Sequence, residues 1–221
     1  HQSLAFNDLQ RVCQELGRHA FGSCVAGQAA PSIAYRWVVP RLHRFAGDNP
    51  GIDVRLNHSS QVTDFKREDI DAAVRHGRGG WENVEEFRLL EGGAVPLASP
   101  ALLERHGLGG CPLPLSAQQI AGLPIQHEAA VDSHTLWRQW FARSGLSDID
   151  VERGVTYDDS GALLSVAVAG HGVVLGRLAL AQEELANGLL IQVSDIQISE
   201  DYGYYLVHDR ARRDDPVIAA F

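Results

Sequence analysis

The sequence predicts an α/β fold made of two parallel units in tandem, and three observations carry that expectation. Short apolar segments of strand length alternate with amphipathic helical stretches, which is the order that builds a parallel sheet with crossover helices. The alternation runs through residues 21–77, is interrupted at Gly92-Gly93, and then restarts. The length of 221 residues is about one and a half domains at about 150 residues each, enough for two small cores.

The elements follow in order. Residues 1–18 space Leu4, Phe6, Leu9, Val12, Cys13 and Leu16 as one face of an amphipathic helix. FGSCVAG (21–27) reads as a strand, and Pro31-Ser32 opens a helix whose buried stripe is Ile33, Trp37, Val38, Leu42 and Phe45. Gly47-Asp48-Asn49-Pro50-Gly51 stops it. IDVRLNH (52–58) alternates as a strand, Ser59 and Ser60 follow, and a short helical turn is expected around Val62 to Lys66. IDAAVRH (70–76) is the next strand and ends in Gly77, with Trp81 covering the end of this sheet.

After the glycine pair, AVPLAS (94–99) is a strand, Pro100 begins a helix through Leu103, and HGLGGCPLPL is a surface loop. Then come strand PIQHE (124–128), helix 132–143 with Trp137 and Trp140 turned to the sheet, strand VERGVTY (151–157) and a helix from about Ser160 to Ala169. Strand VVLG (173–176), a helix near 178–186, and strands LLIQV (189–193) and YGYYLVH (202–208) complete the pattern. No internal sequence repeat is apparent.

Composition excludes several classes of function. The chain carries 19 Lys+Arg against 28 Asp+Glu, a formal −9, and a phosphate backbone repels such a surface unless its basic residues cluster. Arg210, Arg212 and Arg213 are interleaved with Asp209, Asp214 and Asp215, so they read as a solvated mixed-charge face. Hydrophobic residues make up 45%, yet no apolar run reaches the roughly 18 residues of a membrane span. Cys13, Cys24 and Cys111 show no CxxC spacing, which points to a reducing cytosol and buried thiols. The opening HQSLAFNDLQ lacks the charged and apolar segments of a secretory signal, and the absence of methionine reads as a fragment.

Catalytic and metal chemistry find little purchase. No G-x-S-x-G elbow occurs, and Asp159-Ser160-Gly161 is more simply a helix N-cap. Ten histidines form no HxxH, HExxH or HxH, and the local cluster of His127 and His134 with Glu128 and Asp132 reads as surface histidines. The glycines of GHGVVLG end a helix and lead into a strand, the reverse of a dinucleotide fingerprint. Neither a metal nor a cofactor is expected.

What remains is a ligand site, because parallel sheets place ligands at the carboxyl ends of their strands. Those ends are Ala30-Pro31-Ser32, Ser59-Ser60 and His76-Gly77 in the first unit, and His127-Glu128 and Asp158-Asp159-Ser160 in the second. Ser32, Ser59, Ser60, His76, Gly77, His127, Asp159 and Ser160 are therefore the candidate ligand-binding residues, although each serine taken alone reads as a cap. Arg75 and Arg78 read as surface or ion-paired. Ser99-Pro100 has similar chemistry but follows the crossover strand, so its end points elsewhere.

The segments PSIAYRWVVPRLHRF, NPGIDVRLNHSSQVTDF, DIDAAVRHGRGGW, YDDSGALLSVAVAGHGVVLGR and DPVIAAF resemble the effector-binding domain of LysR-type transcriptional regulators, over about 21–221. The branch they look like is that of the glycine-cleavage activators and β-lactamase regulators, with His76 where that branch usually carries tyrosine. The resemblance implies two Rossmann-like subdomains of the type 2 periplasmic-binding-protein kind, residues 21–94 with 199–221 and residues 95–198, joined by two crossover segments. Residues 1–20 become the end of a linker helix, and Phe221 falls inside what should be a helix. The family's winged helix-turn-helix has no counterpart in the sequence, so DNA is a partner only through that absent domain.

The implied protein is a cytoplasmic homodimer or homotetramer without enzymatic activity, not associated with a membrane, that senses a small polar or anionic metabolite in the cleft between its lobes. Asp159 favours a mixed ligand with an amine or hydroxyl. A periplasmic solute-binding receptor is the rival, and the leading amphipathic helix and three cysteines weigh against it.

Overall fold

The computed structural model describes residues 24–48, 53–59, 61–65, 68, 70–129, 133–199 and 201–212. The expected helix at 1–18, Ser60 and the closing DPVIAAF lie outside the described residues. Those described divide into two compact units, one up to Gly92 and again from Asp201, the other Gly93–Glu200. Among them, no helix is long and apolar enough to cross a membrane.

The first unit is built on strands β1 (Cys24–Ala29), β2 (Asp53–His58), β3 (Ala72–Gly77), β4 (Val84–Glu91) and β10 (Gly203–Asp209), in the order β2-β1-β3-β10-β4. β2, β1 and β3 are parallel, while β10 runs antiparallel to both β3 and β4. The sheet is thus mixed rather than wholly parallel, because its fourth strand enters from the far end of the chain. β4 was not legible in the sequence. Its charges at Glu85, Glu86, Arg88 and Glu91 break the alternation, as suits an edge strand that must not pair with strangers, and a register shift at Tyr204/Tyr205 bends it.

Helix α1 runs as α over Pro31–Ile33, as a wider π turn over Ala34–Val38, and as α again over Val39–Asp48. The cause is Pro40, which has no N–H to donate and whose ring crowds the carbonyl four residues back. In the widened turn the Val39 N–H reaches Ala34 O. Arg41 donates to Trp37 O at 3.0 Å, and its guanidinium lies 4.5 Å over the Trp37 ring. The sequence carries a trace of this, since Ile33 and Val38, both buried, stand five residues apart.

The helical turn expected around Val62 to Lys66 is displaced toward its end, Val62–Asp64 being irregular and Phe65 a turn residue. Thr63 is instead buried and its hydroxyl donates to Gln28 Oε1 beneath the sheet. Among the described residues one helical-type bond is formed, from Glu68 N to Asp64 O at 2.9 Å, and its turn starts within the stretch.

The second unit contains β5 (Ala94–Ala98), α2 (Pro100–Arg105), α3 (Ala117–Ala121), β6 (His127–Glu128), α4 (Ser133–Arg143), β7 (Thr156–Tyr157), α5 (Ser160–Val168), β8 (Val174–Arg177), α6 (Gln182–Ala186) and β9 (Ile191–Gln192). β5 pairs antiparallel with β8 and β9, β6 pairs parallel with β7, and a parallel bridge between Ile125 and Val173 links the two ladders. The resulting order, β7-β6-β8-β5-β9, repeats that of the first unit, with an antiparallel crossover strand in fourth place. No sequence similarity announces this repeat. α3 was missed because it is short, yet it carries a capping box in which Ser116 and Gln119 satisfy each other's backbone N–H.

The core of this unit gathers Trp137, Trp140 and Phe141 of α4 with Leu102, Ile120, Val173, Leu175 and Val193. Both indoles satisfy their N–H groups, Trp137 on Gln126 O at 3.0 Å and Trp140 on Ile196 O at 2.9 Å. α5 starts at the Asp159 cap and stops at Gly170, whose φ of +73° suits glycine and lets the His171 N–H reach back to Val166 O. Ser99 is buried, and its Oγ accepts from the Leu102 N–H at the start of α2. Ser99→Ala therefore costs about 1 kcal/mol of stability, read as a lower urea midpoint at unchanged slope.

Candidate functional site

In the first unit the ends of three adjacent parallel strands present polar groups. Ser32 is the second residue of α1, directly after β1, and no side chain caps that helix start at Ala30. At the end of β2, the Ser59 N–H donates to Ala29 O at 2.9 Å and its Oγ accepts from the Gln61 N–H at 3.1 Å. The preceding His58 places Nδ1 3.3 Å from the exposed Tyr35 hydroxyl. His76, near the end of β3, packs its ring 5.4 Å from Tyr202 and 4.8 Å from Tyr204. Gly77 faces Gly203, and a Cβ on it would meet the Trp81 ring at 2.8 Å, so glycine is needed for that cover.

The flanking arginines are engaged. Arg75 donates to Thr63 O at 2.8 Å with its guanidinium near the Phe65 and Trp81 rings, and burial lowers its pKa. Arg78 pairs with Asp201 at 2.7 Å on the surface.

The second unit concentrates its chemistry on one ion pair. The Glu128 carboxylate, at the end of β6, accepts from Arg177 Nη1 at 2.8 and 2.6 Å, with side-chain exposures of 9% for Glu128 and 12% for Arg177. The Ser160 hydroxyl, at the first turn of α5, donates to the same carboxylate and accepts from the same guanidinium. Asp159 Oδ1 accepts from the N–H groups of Gly161 at 2.8 Å and Ala162 at 3.0 Å, so it caps α5, as its spacing predicted. Behind the carboxylate, Gln126, Leu136, Trp137, Leu163 and Leu175 pack closely and leave a hollow of only about 10 Å³.

His127 does not join this cluster. Neighbouring strand residues point to opposite faces, so with Glu128 on one side His127 turns to the other, where it is 1% exposed and its Nε2 lies 3.1 Å from Arg153 O. The structure thus brings Ser160 together with Glu128 and Arg177, two residues outside the expected set, while Asp159 serves as the cap of α5. The available signal was Arg177, a lone guanidinium closing the apolar strand VVLG, and Glu128 at the end of PIQHE. Among the described residues, no three His, Cys, Asp or Glu side chains are grouped to hold a metal.

A family model described as the LysR substrate binding domain matches residues 28–221. The chain belongs to this family. The glycine cleavage system transcriptional activator of Escherichia coli strain K12 is 30% identical to this LysR domain over 205 residues, covering 92% of the chain and 65% of that protein. The chain therefore spans just under two thirds of the relative's length. Among solved structures, the effector domain of the transcriptional regulator AmpR of Pseudomonas aeruginosa superposes with a TM-score of 0.71 at 25% identity, covering 90% of this chain and 91% of that one. The AmpR effector binding domain from Citrobacter freundii gives 0.72 at 22% identity, with coverages of 90% and 94%. The LysR domain described here has the two-subdomain α/β fold of these neighbours.

Proposed function

We propose that this LysR domain is the effector-sensing part of a bacterial cytoplasmic transcription regulator. It binds a small polar or anionic metabolite and controls DNA binding by a winged helix-turn-helix domain outside this chain. The observation that supports the reading is the set of hydroxyls, open backbone N–H groups and a charged pair at the carboxyl ends of parallel strands, Ser32, Ser59 and His76 in one unit and Ser160 with Glu128 and Arg177 in the other. Ser60, next to Ser59 in sequence, and Gly77, next to His76, belong to the same proposal. The regulator works as a homodimer or homotetramer. The regulatory relatives favour this reading over a periplasmic receptor with the same fold.

A thermal-shift screen of polar metabolites against the chain tests it. The metabolite that raises the melting temperature most binds about tenfold or more weakly to Ser59→Ala and His76→Ala, the effect of losing a hydrogen bond to a charged group. Undiminished affinity in both variants contradicts the placement. The chain alone, with its net −9, shows no saturable binding to an operator-length duplex at moderate salt, and saturable nanomolar binding would contradict the division of labour.

A further inference from the structure

The ion pair of the second unit leaves its guanidinium already occupied by the protein's own carboxylate. Arg177 directs one nitrogen, Nη1, at both oxygens of Glu128 and at the Ser160 hydroxyl, so β6, α5 and β8 meet at a single atom. Such a contact contributes little net stability, because most of the Coulomb gain offsets the desolvation of both charges. It does fix geometry. It also fixes what the site can exchange, since a second carboxylate can take the place of the first at almost no electrostatic cost, whereas removal of Glu128 without replacement strands a buried cation.

We propose that Glu128 is a built-in competitor for Arg177, and that the effector carries a carboxylate which displaces it. The inference rests on the reading of these strand ends as effector contacts and adds the ligand class and its consequence. The incoming carboxylate accepts from Arg177 Nη1 and leaves Ser160 Oγ as an accepting and donating neighbour. Glu128, 9% exposed in this contact, swings outward to solvent, because the hollow lined by Gln126, Leu136 and Trp137 behind it holds only about 10 Å³. No bond is made or broken and no proton need move, because one carboxylate replaces another. The tie of β6 to β8 is lost in the exchange, so occupancy is converted into a local change in the second unit. The same competition lowers the affinity for every carboxylate by the fraction of time that Glu128 holds the site.

Acetate is the minimal probe, titrated against chloride at matched ionic strength and read by melting temperature and by amide chemical shifts at Ser160 and Arg177. Glu128→Gln keeps the volume and one acceptor but removes the competing charge, and it is expected to bind acetate at least tenfold more tightly than the wild-type chain. The double variant Glu128→Gln/Arg177→Met replaces both charges with near-isosteres, folds without the pair, and is expected to lose the response. Glu128→Asp, which withdraws the carboxylate by one methylene, falls between wild type and Glu128→Gln. A Glu128→Gln chain recovered folded only in acetate is the same result in stronger form. An acetate response equal in wild type and Glu128→Gln, or one that survives in the double variant, overturns the proposal. If a metabolite still stabilises the wild-type chain in that case, sensing stands and only the competition falls. If neither acetate nor any metabolite acts on any of these variants, the sensing role falls with it.

Discussion

Arg177→Met lowers the stability of the chain by about 3–5 kcal/mol, the range for removing one partner of a buried ion pair. The reason is the group left behind. Glu128 is 9% exposed, and without the guanidinium its carboxylate keeps only the Ser160 hydroxyl as a described partner. Restoring neutrality with Glu128→Gln in the same chain recovers most of the loss, because two well-packed uncharged side chains avoid the desolvation that the charged pair suffers. Urea unfolding of the two single variants and the double variant measures this, and the non-additive part is the coupling between the residues. A single variant within about 0.5 kcal/mol of wild type would show that the pair is solvated and the cluster loose.

Trp137→Ala is the second large effect, about 3–5 kcal/mol. The indole is 1% exposed and packs 5.8 Å from the Trp140 ring and 5.6 Å from Phe141, so truncation opens a cavity in the middle of the second unit. It also removes the donor from Gln126 O, on the strand segment that leads into Glu128. Trp137→Phe separates the two contributions. It fills most of the volume, leaves the carbonyl unpaired, and costs about 1–3 kcal/mol. Equal losses for the alanine and phenylalanine variants would mean that the hydrogen bond dominates and the packing account is wrong.

Much of the fold was legible because its punctuation is local. Pro31 opens α1, Asp159 opens α5, Gly170 closes it, and each signal acts within a few residues of the residue that carries it. What escaped depends on partners distant in the chain. β4 exists because β10 lies beside it, and its own sequence, dominated by charge, looks like a loop until that pairing is known. VERGVTY shrinks to Thr156–Tyr157 and the β6 ladder to His127–Glu128 because only these face each other in register, while Ile125 of PIQHE bridges separately to Val173. The π turn of α1 was hidden for a different reason. A stripe of Ile33, Trp37, Val38 and Leu42 fits an ordinary helix nearly as well, and only the consequence of Pro40 for the carbonyl four residues earlier separates the two.

The candidate site shows the same division. Asp159 and Ser160 could be found because a cap has a sequence signature. Choosing between His127 and Glu128 required knowing which face of β6 looks inward, and a two-residue strand offers no periodicity from which to decide. Arg177 is 49 residues from Glu128, and nothing but the fold joins them. The hydrophobic pattern therefore located the strand ends, while the identity of the charged pair waited on the tertiary structure.

A crystal structure of the chain with the metabolite that most raises its melting temperature decides whether the strand ends bind the effector. The prediction is ligand density within hydrogen-bond distance of Ser59 or His76 in the first unit, or of Ser160 or Arg177 in the second. Density confined to another surface, such as the groove lined by Trp81, Glu82, Glu85, Phe87 and Arg210, would contradict it.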